Sequence, residues 1–241
     1  MDLQSAAETN FEVLSANPYP GRGIILGRSP NGESLVQVYW IMGRSEGSRN
    51  RVFVEEDGFL KTKLWDESKA TDPTLLIYYP MKHIGNGHIV SNGDQTDTIY
   101  KALERGKTFE SALETRTFEP DPPIYTPRIS GLMDVATPEE YKLSVLKPMS
   151  GDPDSVVRCC YSFVTPSKGI GNCIHTYWIT AEGQPVPFVG EPYILPLFDD
   201  IDETAEVYWD ALDEDNRVSL AVKFIDIASG RFELRVINKH G

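Results

Sequence analysis

Five short segments of the chain concentrate residues that could bind an anion or move a proton. They read RSEGSRNR at 44–51, IYYP at 77–80, VSNGDQTDTI at 90–99, FEPDPP at 118–123 and YTPRISG at 125–131. An arginine fork can clamp a carbonyl or a phosphate, and a tyrosine hydroxyl can donate to an oxygen that becomes anionic. A buried carboxylate can take and return protons. Each segment taken separately could also be an ordinary strand entry or a core aromatic.

The segment VSNGDQTDTIY at 90–100 places short polar side chains where a predicted strand passes into a helix. One interpretation is structural: Asn92-Gly93 turns the chain, and Asp94 or Thr96 caps the helix by accepting a hydrogen bond from a free N–H group. The other is functional, because a helix N-terminus offers N–H donors and a partial positive charge to an anion. Taken alone, the segment favours the capping interpretation.

The sequence contains no familiar metal, cofactor or nucleophile motif. Its three cysteines, Cys159, Cys160 and Cys173, include no C-x-x-C pair, and its four histidines are not at ligand spacing. We therefore expect the cysteines to be small core residues in a reducing compartment, and we expect no metal and no cofactor. The stretch GRGIILG lacks the spacing of a dinucleotide-binding loop, and neither G-x-S-x-G nor a mature N-terminal Ser, Thr or Cys is visible.

The net charge of −13 argues against non-specific binding to nucleic acid. The charge is uneven, because residues 21–53 carry five arginines against two glutamates: Arg22, Arg28, Arg44, Arg49 and Arg51. Such a cluster could hold an anion locally, although any single arginine could simply solvate a strand face. No apolar run of about eighteen residues and no export signal is visible. We therefore expect a cytoplasmic protein that neither spans a membrane nor binds nucleic acid.

The order of hydrophobic patterns and turn residues predicts strands in hairpins and helices in blocks. Hairpins are predicted to turn at 30–32, at 57–58 and at 85–87, and helices are predicted at about 95–105 and 108–116. In the second half, SVVRCCYSFV at 155–164 is expected to form a hairpin with GNCIHTYWIT at 171–180.

An acidic helix is predicted within residues 199–215, and a last hairpin turns at 228–230. Strict βαβ alternation is absent, which predicts an α+β protein with mainly antiparallel sheets, two of them face to face with helices outside. No linker divides the chain, so we expect a single domain over residues 1–241, with a loosely held leader at 1–17.

Three segments of the sequence resemble the stand-alone, archaeal-type IMP cyclohydrolase family. They are GRGIILGRSPNGESLVQVYWIMGRSEGSRNR at 21–51, HIVSNGDQTDTI at 88–99 and TPRI at 126–129, of which the string SNG-x-x-TDTI is the specific one. The resemblance covers about Pro18 to Gly131, and no motif is recognised beyond it. It implies a four-layer αββα sandwich similar to the fold of N-terminal-nucleophile hydrolases.

The resemblance implies a purine nucleotide as the substrate, because this family closes the purine ring in the last step of IMP synthesis. In 5-formamidoimidazole-4-carboxamide ribonucleotide, the carboxamide nitrogen attacks the formyl carbon of the same molecule, and water leaves. Both reacting groups lie on one ring, so the reaction depends on holding the correct rotamer and on proton transfer. We also expect a homo-oligomer.

Carried over position by position, the functional residues of the family fall on Arg51, Tyr78 and Glu119. The expected roles are an electrostatic clamp for Arg51, an oxyanion donor or acid for Tyr78, and a proton shuttle for Glu119. Tyr79 is a rival for Tyr78, and PDPP at 120–123 lengthens the loop after Glu119 relative to the family pattern. The expected substrate-binding residues are Arg44, Asn92, Gly93, Thr96, Asp97, Thr126 and Arg128.

Two other functions stay open at the level of the sequence. An amide hydrolase on the same sandwich would need a processed N-terminal nucleophile. A purine-nucleotide-binding protein without catalysis would fit the unrecognised second half and the acidic helix.

Overall fold

The computed structural model describes residues 2–69, 75–150 and 152–240. Within them the chain forms two large sheets, one two-stranded sheet and five α-helices. All ladders between these strands are antiparallel, in agreement with the predicted α+β class and mainly antiparallel sheets.

The six-stranded sheet contains β1 (Gly23–Arg28), β2 (Ser34–Met42), β10 (Ile170–His175), β13 (Tyr193–Pro196), β14 (Arg217–Asp226) and β15 (Phe232–Asn238). Its spatial order is β13-β10-β1-β2-β14-β15. The seven-stranded sheet contains, in spatial and in chain order, β3 (Arg51–Glu56), β4 (Phe59–Leu64), β5 (Met81–Ile84), β6 (Gly87–Ser91), β7 (Arg128–Asp134), β8 (Glu140–Met149) and β9 (Asp152–Val164). The two-stranded sheet pairs β11 (Tyr177–Ile179) with β12 (Pro185–Pro187). The helices are α1 (Leu3–Ala16), α2 (Glu46–Arg49), α3 (Gln95–Glu104), α4 (Phe109–Leu113) and α5 (Ile201–Ala211).

Strand β2 shows how the six-stranded sheet serves two cores. Leu35 and Tyr39 belong to a hydrophobic cluster that also contains side chains of the seven-stranded sheet. Val36 and Trp40 belong to a second cluster, which includes residues of α1 and α5. Because consecutive strand residues point to opposite faces, a strand covered on both sides needs an almost unbroken apolar run, as LVQVYWIM provides. A third cluster joins β6 and β8 to α3 and α4.

The N-terminal segment is an ordered helix. Asp2 caps α1 by accepting a hydrogen bond from the backbone N–H of Ser5 at 2.8 Å. Ala7 and Leu14 are fully buried, and Asn10 donates a side-chain hydrogen bond to the carbonyl of Ile194 at 2.9 Å. The structure therefore differs from the expected loosely held leader at 1–17, because one face of the helix covers the six-stranded sheet.

The predicted hairpin between 155–164 and 171–180 is wrong. Strand β9 pairs with β8, whereas β10 pairs with β1 and β13 in the other sheet. The turn residues between them therefore carry the chain from one sheet to the other. A local turn signal shows that the chain bends, but the neighbour of each strand is decided by the sheet edge that each strand meets.

Only one of the three cysteines is the buried core residue that the sequence predicts. Cys173 is fully buried in β10, whereas Cys159 is half-buried and Cys160 is exposed on β9. This difference follows from the position of β9 at a sheet edge, where one face is covered only in part. Within the described ranges, no helix is both long and apolar enough to cross a lipid bilayer.

Candidate functional site

Three of the five arginines between residues 21 and 53 line one cavity of about 260 Å³: Arg22, Arg44 and Arg51. Arg22 precedes β1, and the other two lie on either side of α2. The remaining pair is engaged elsewhere, since Arg28 contacts Glu139 at 3.0 Å and Arg49 donates to the carbonyl of Gly43 at 2.9 Å. The cavity thus concentrates positive charge in an acidic chain. Its wall also includes Tyr19, Met42, Ser45, Ser48, Leu76, Asp121, Ile124, Thr126 and Tyr177.

The guanidinium of Arg51 is held by the turn that contains α2. Ser45 and Ser48 form a reciprocal capping box at the start of this short helix. The carbonyl of Ser48 accepts a hydrogen bond from Arg51 Nε at 2.8 Å, and the carbonyl of Met42 accepts one from Nη2 at 3.3 Å. Arg51 is 1% exposed, and its Nη1 has no hydrogen-bond partner among the described residues. Burial lowers the pKa of this guanidinium, which nevertheless stays charged.

Glu119 forms a buried ion pair with Arg22. Its Oε2 lies 3.3 Å from Arg22 Nη2, and the carboxylate side chain is 2% exposed. Burial raises the pKa of Glu119, while the positive charges of Arg22 and Arg128 oppose this rise. The backbone N–H of Glu119 donates to the carbonyl of Thr126 at 2.9 Å, so the lengthened loop returns to its starting point. The additional PDPP residues therefore leave Glu119 beside the strand that begins at Arg128.

Tyr78 meets a second tyrosine. Its hydroxyl lies 2.7 Å from the hydroxyl of Tyr39 in the middle of β2, and Tyr78 is 6% exposed. Burial raises the pKa of Tyr39 well above its ordinary value, so Tyr39 keeps its proton. Tyr79 faces elsewhere, because its ring lies 4.2 Å from the ammonium of Lys82. Of the two rival tyrosines, Tyr78 is therefore the one beside the arginines.

Arg22 is the centre of this cluster. Burial acts to lower the pKa of Arg22, but nearby ionisable groups raise it well above its ordinary value: Glu119, Tyr78, Tyr177 and Tyr39. The pKa of Arg51 also responds to Tyr78, Arg22 and Tyr39. Arg51, Tyr78 and Glu119 thus occupy one buried cluster, and their catalytic roles stay predictions. Of these three residues, Arg51 is the one that lines the cavity, next to Arg22.

Thr126 and Arg128 lie on the β7 side of the cluster. Thr126 lines the cavity, and its hydroxyl contacts Asp121 Oδ2 at 2.5 Å and the hydroxyl of Tyr177. Arg128 Nη1 lies 2.7 Å from both Gln95 Oε1 and Asp94 Oδ1. A Cβ atom on Gly93 would come within 2.6 Å of that nitrogen and 2.7 Å of Gln95 Oε1, so a larger residue at this position would displace the contact between Arg128 and Gln95.

The other residues predicted around the helix start have partners of their own and do not line the cavity. Asn92 donates to the carbonyl of Pro127 at 2.9 Å and accepts from the backbone N–H of Ile129 at 2.8 Å, which joins the start of α3 to β7. The Thr96 hydroxyl contacts Ser91 and the carbonyl of Gly93. Asp97 forms an ion pair with Lys82 at 2.6 Å.

The prediction that Asp94 or Thr96 caps this helix through its side chain is wrong. Asp94 is the N-cap residue, but its carboxylate makes no capping hydrogen bond. One oxygen of that carboxylate, Oδ1, instead contacts Arg116 at 2.5 Å and Arg128 at 2.7 Å. Two guanidinium groups bind a carboxylate more strongly than one backbone N–H does, and the Asp94 pKa is correspondingly low despite burial.

Sequence reasoning missed Arg22, Tyr39 and Tyr177 as members of the site. In the sequence, Arg22 stands out only as part of an arginine-rich segment. Tyr39 could have been suspected from its hydroxyl in the middle of an apolar strand, whereas Tyr177 lies beyond the recognised motifs. No group of three or more His, Cys, Asp or Glu side chains placed to hold a metal ion occurs in the described parts of the chain.

Comparison with known proteins extends the resemblance. The sequence model of a family described as IMP cyclohydrolase-like protein matches residues 19–230, well past Gly131. The IMP cyclohydrolase of Methanopyrus kandleri strain AV19 is 31% identical over 144 residues, which span 56% of this chain and 71% of that protein.

Proposed function

This chain belongs to the IMP cyclohydrolase-like family, and we propose that it converts 5-formamidoimidazole-4-carboxamide ribonucleotide to IMP and water. The observation that carries the proposal is a pair of arginines beside a cavity, Arg51 buried and Arg22 12% exposed, each with one buried N–H group that has no partner among the described residues. The two groups are Arg22 Nε and Arg51 Nη1. Buried N–H groups are rarely left unpaired, so these donors are matched by a polar group of the substrate.

The residues of the cluster divide the chemistry of ring closure between them. Ionised Glu119 takes a proton from the carboxamide nitrogen as that nitrogen attacks the formyl carbon. Tyr78 donates a hydrogen bond to the formyl oxygen while it becomes anionic, and Arg51 stabilises the same charge. Glu119 returns this proton to the oxygen, which becomes a hydroxyl group on the new ring. Glu119 then takes a second proton from the formamido nitrogen and passes it to the hydroxyl as the C–O bond breaks, so that water leaves and a C=N double bond forms between that nitrogen and the former formyl carbon.

Tyr39 explains why Tyr78 is free to donate. Tyr39 is fully buried, and Tyr78 is the only side-chain or backbone partner of its hydroxyl among the described residues. If Tyr39 donates to the oxygen of Tyr78, both O–H groups have an acceptor, because the Tyr78 hydroxyl can then donate its own proton to the substrate. The opposite arrangement would leave a buried O–H without an acceptor, at a cost of about 1–3 kcal/mol.

The remaining predicted contacts are assigned to substrate binding. The Arg44 guanidinium stacks on the ring of Tyr19 at 4.6 Å and is exposed at the mouth of the cavity, where it suits the 5′-phosphate. Thr126 offers a hydroxyl at the wall. Arg128, with Asn92, Gly93, Thr96 and Asp97, forms the supporting edge of the cradle in this proposal.

The finer features of the fold and of the cellular setting belong to the same proposal. We assign the chain a four-layer αββα sandwich of the N-terminal-nucleophile hydrolase type, supported by one hydrophobic cluster between the two large sheets and one beneath each helical layer. We further assign it a single domain, a cytoplasmic location and a homo-oligomeric state.

The direct test is a spectrophotometric assay of the purified protein with the formylated substrate, with IMP identified by mass. Tyr78→Phe and Glu119→Gln should each reduce kcat by a factor of about 10²–10⁴. Tyr79→Phe is the matched control. Because the Tyr79 ring faces Lys82, this variant should have the same activity as the unmodified protein.

Two outcomes would contradict the proposal. Folded protein that binds IMP but never forms it would instead be a nucleotide-binding protein. A mature chain that begins at a newly exposed Ser, Thr or Cys, seen by intact mass, would favour the amide hydrolase.

A further inference from the structure

A second cavity, a groove between α3 and α4, lies outside the candidate active site. Its volume is about 460 Å³, compared with about 260 Å³ for the cavity beside Arg51. Ala102 and Ala112 are buried in its wall, one from each helix, and their small side chains leave the groove open. The residues Thr98, Ser111 and Thr115 add hydroxyl groups to the wall.

The two acidic residues of this groove are already neutralised. Asp94 contacts Arg116 at 2.5 Å and Arg128 at 2.7 Å, and Asp97 contacts Lys82 at 2.6 Å. Their charges are therefore not available to compensate other cations in the groove.

Three further cations of the groove have no such partner. Lys101, Arg105 and Lys107 form no ion pair with any described residue. Lys101 and Arg105 are four residues apart on α3 and so share one face of the helix. In a chain with a net charge of −13, three uncompensated cations around one concave surface create a local site for a multiply charged anion.

We propose that this groove is an effector site for a small molecule that carries two or more phosphate groups. Each unpaired cation can neutralise one phosphate charge. The Thr98 hydroxyl can donate to a further phosphate oxygen, whereas the hydroxyl groups of Ser111 and Thr115 already donate to the carbonyls of Thr108 and Ala112. The lining contains no aromatic side chain on which a base could stack, so the groove recognises the phosphate groups.

The groove is connected to the candidate active site by one carboxylate oxygen. Arg116 on the groove side and Arg128 on the site side both contact Asp94 Oδ1. A polyphosphate that draws Arg116 away leaves this oxygen to Arg128 alone. Arg128 is then held more tightly by Asp94 and is less available to the nucleotide. Occupation of the groove therefore weakens nucleotide binding, and by reciprocity nucleotide weakens binding in the groove; this second step rests on the proposed function.

Calorimetric titration with inorganic pyrophosphate tests the groove without any need for turnover. The combined variant Lys101→Ala, Arg105→Ala and Lys107→Ala should weaken pyrophosphate binding by at least about tenfold. A control with Lys63→Ala, Lys69→Ala and Lys168→Ala removes the same charge from other exposed positions and should bind as the unmodified protein does. ATP should also bind through its phosphates, and orthophosphate should bind more weakly. The absence of saturable pyrophosphate binding, or equal affinity in the two combined variants, would overturn the site.

The connection is tested by titrating IMP with and without saturating pyrophosphate. Pyrophosphate should weaken IMP binding by at least about threefold in the unmodified protein, and Asp94→Asn should abolish this effect. Unchanged IMP affinity with pyrophosphate bound would overturn the effector role. If IMP does not bind at all, both the proposed function and the effector role are wrong. Whether the groove binds a polyphosphate is then still decided by the pyrophosphate titration.

Discussion

Replacing Tyr39 with phenylalanine is the sharpest test of how the candidate site works. The change removes a single oxygen atom from a fully buried ring in the middle of β2. That oxygen lies 2.7 Å from the hydroxyl of Tyr78, and the ring itself stacks on Phe53 with a centroid separation of 5.6 Å. The packing is therefore retained, and the hydrogen bond to Tyr78 is the interaction that is lost.

The expected loss of activity follows from the role of this hydrogen bond. Removing an oxyanion donor outright costs about 10²–10³ in kcat. Tyr39→Phe keeps the Tyr78 donor but leaves its hydroxyl free to rotate, so we expect a smaller loss, about 10–10² in kcat, or about 1.4–2.7 kcal/mol of activation free energy. KM should stay within about threefold, because the Tyr39 hydroxyl contacts the hydroxyl of Tyr78 and acts on the substrate only through it. Stability should fall by only about 1 kcal/mol, the usual net value of one hydrogen bond.

The assay is steady-state kinetics on four proteins, namely the unmodified chain, Tyr39→Phe, Tyr78→Phe and the double variant, with urea unfolding of each. Tyr141→Phe is the matched control. Tyr141 is also buried between the sheets, and its hydroxyl donates one hydrogen bond, to Asn172 Oδ1 at 2.5 Å. This variant should show a similar loss of stability without a loss of kcat.

Because Tyr39 acts only through Tyr78, the double variant should be no slower than Tyr78→Phe alone. Fully additive losses, or unchanged kcat in Tyr39→Phe, would refute the idea that Tyr39 orients the donor.

Three further predictions concern Glu119, Asn92 and His175. Burial raises the pKa of Glu119, and the positive charge of Arg22 partly opposes this rise. Arg22→Gln should therefore raise the Glu119 pKa further and move the acidic limb of the kcat/KM profile to higher pH. If the limb does not move, the group that titrates there is not Glu119. Asn92→Ala should reduce the free energy of unfolding in urea by about 2–4 kcal/mol, because it removes buried hydrogen bonds between α3 and β7; a loss below about 0.5 kcal/mol would contradict that structural role. Burial lowers the pKa of His175 to about 3. Below pH 6.5 the unfolded chain therefore binds a proton at this residue that the folded chain does not. As the pH is lowered from there, His175 should reduce the free energy of unfolding by about 1.4 kcal/mol per pH unit. His175→Phe should remove that contribution from the pH dependence measured by urea unfolding, and an unchanged slope would count against it.

Some features of the site were accessible from local sequence alone. The turn at 30–32 and the long apolar run of β2 correctly predicted the hairpin that carries Tyr39. The arginine-rich segment at 21–53 correctly predicted a local cluster of positive charge, since three of its arginines line one cavity. Both are properties of short windows, in which neighbouring side chains and turn residues act on each other directly.

The wrong predictions involve choices between partners that are distant in the chain. Strand β10 could not be assigned to the correct sheet from its own residues, because its partner β1 lies about 150 residues earlier. The predicted capping role of Asp94 is wrong for the same reason. A carboxylate at a helix start caps the helix unless stronger cations approach, and those cations, Arg116 and Arg128, are brought there by α4 and by β7.

Local sequence is therefore enough to indicate most of the hairpins, the apolar run that buries β2 on both faces, the charged segments and the family. The contact of Arg22 with Glu119, 97 residues away, and the contact of Tyr39 with Tyr78 exist only in the folded chain. Local conformation depends on interactions within a few residues, whereas these contacts depend on how two sheets stack and on which buried charges then have to be paired. The chemistry proposed for this site comes from the second kind of interaction.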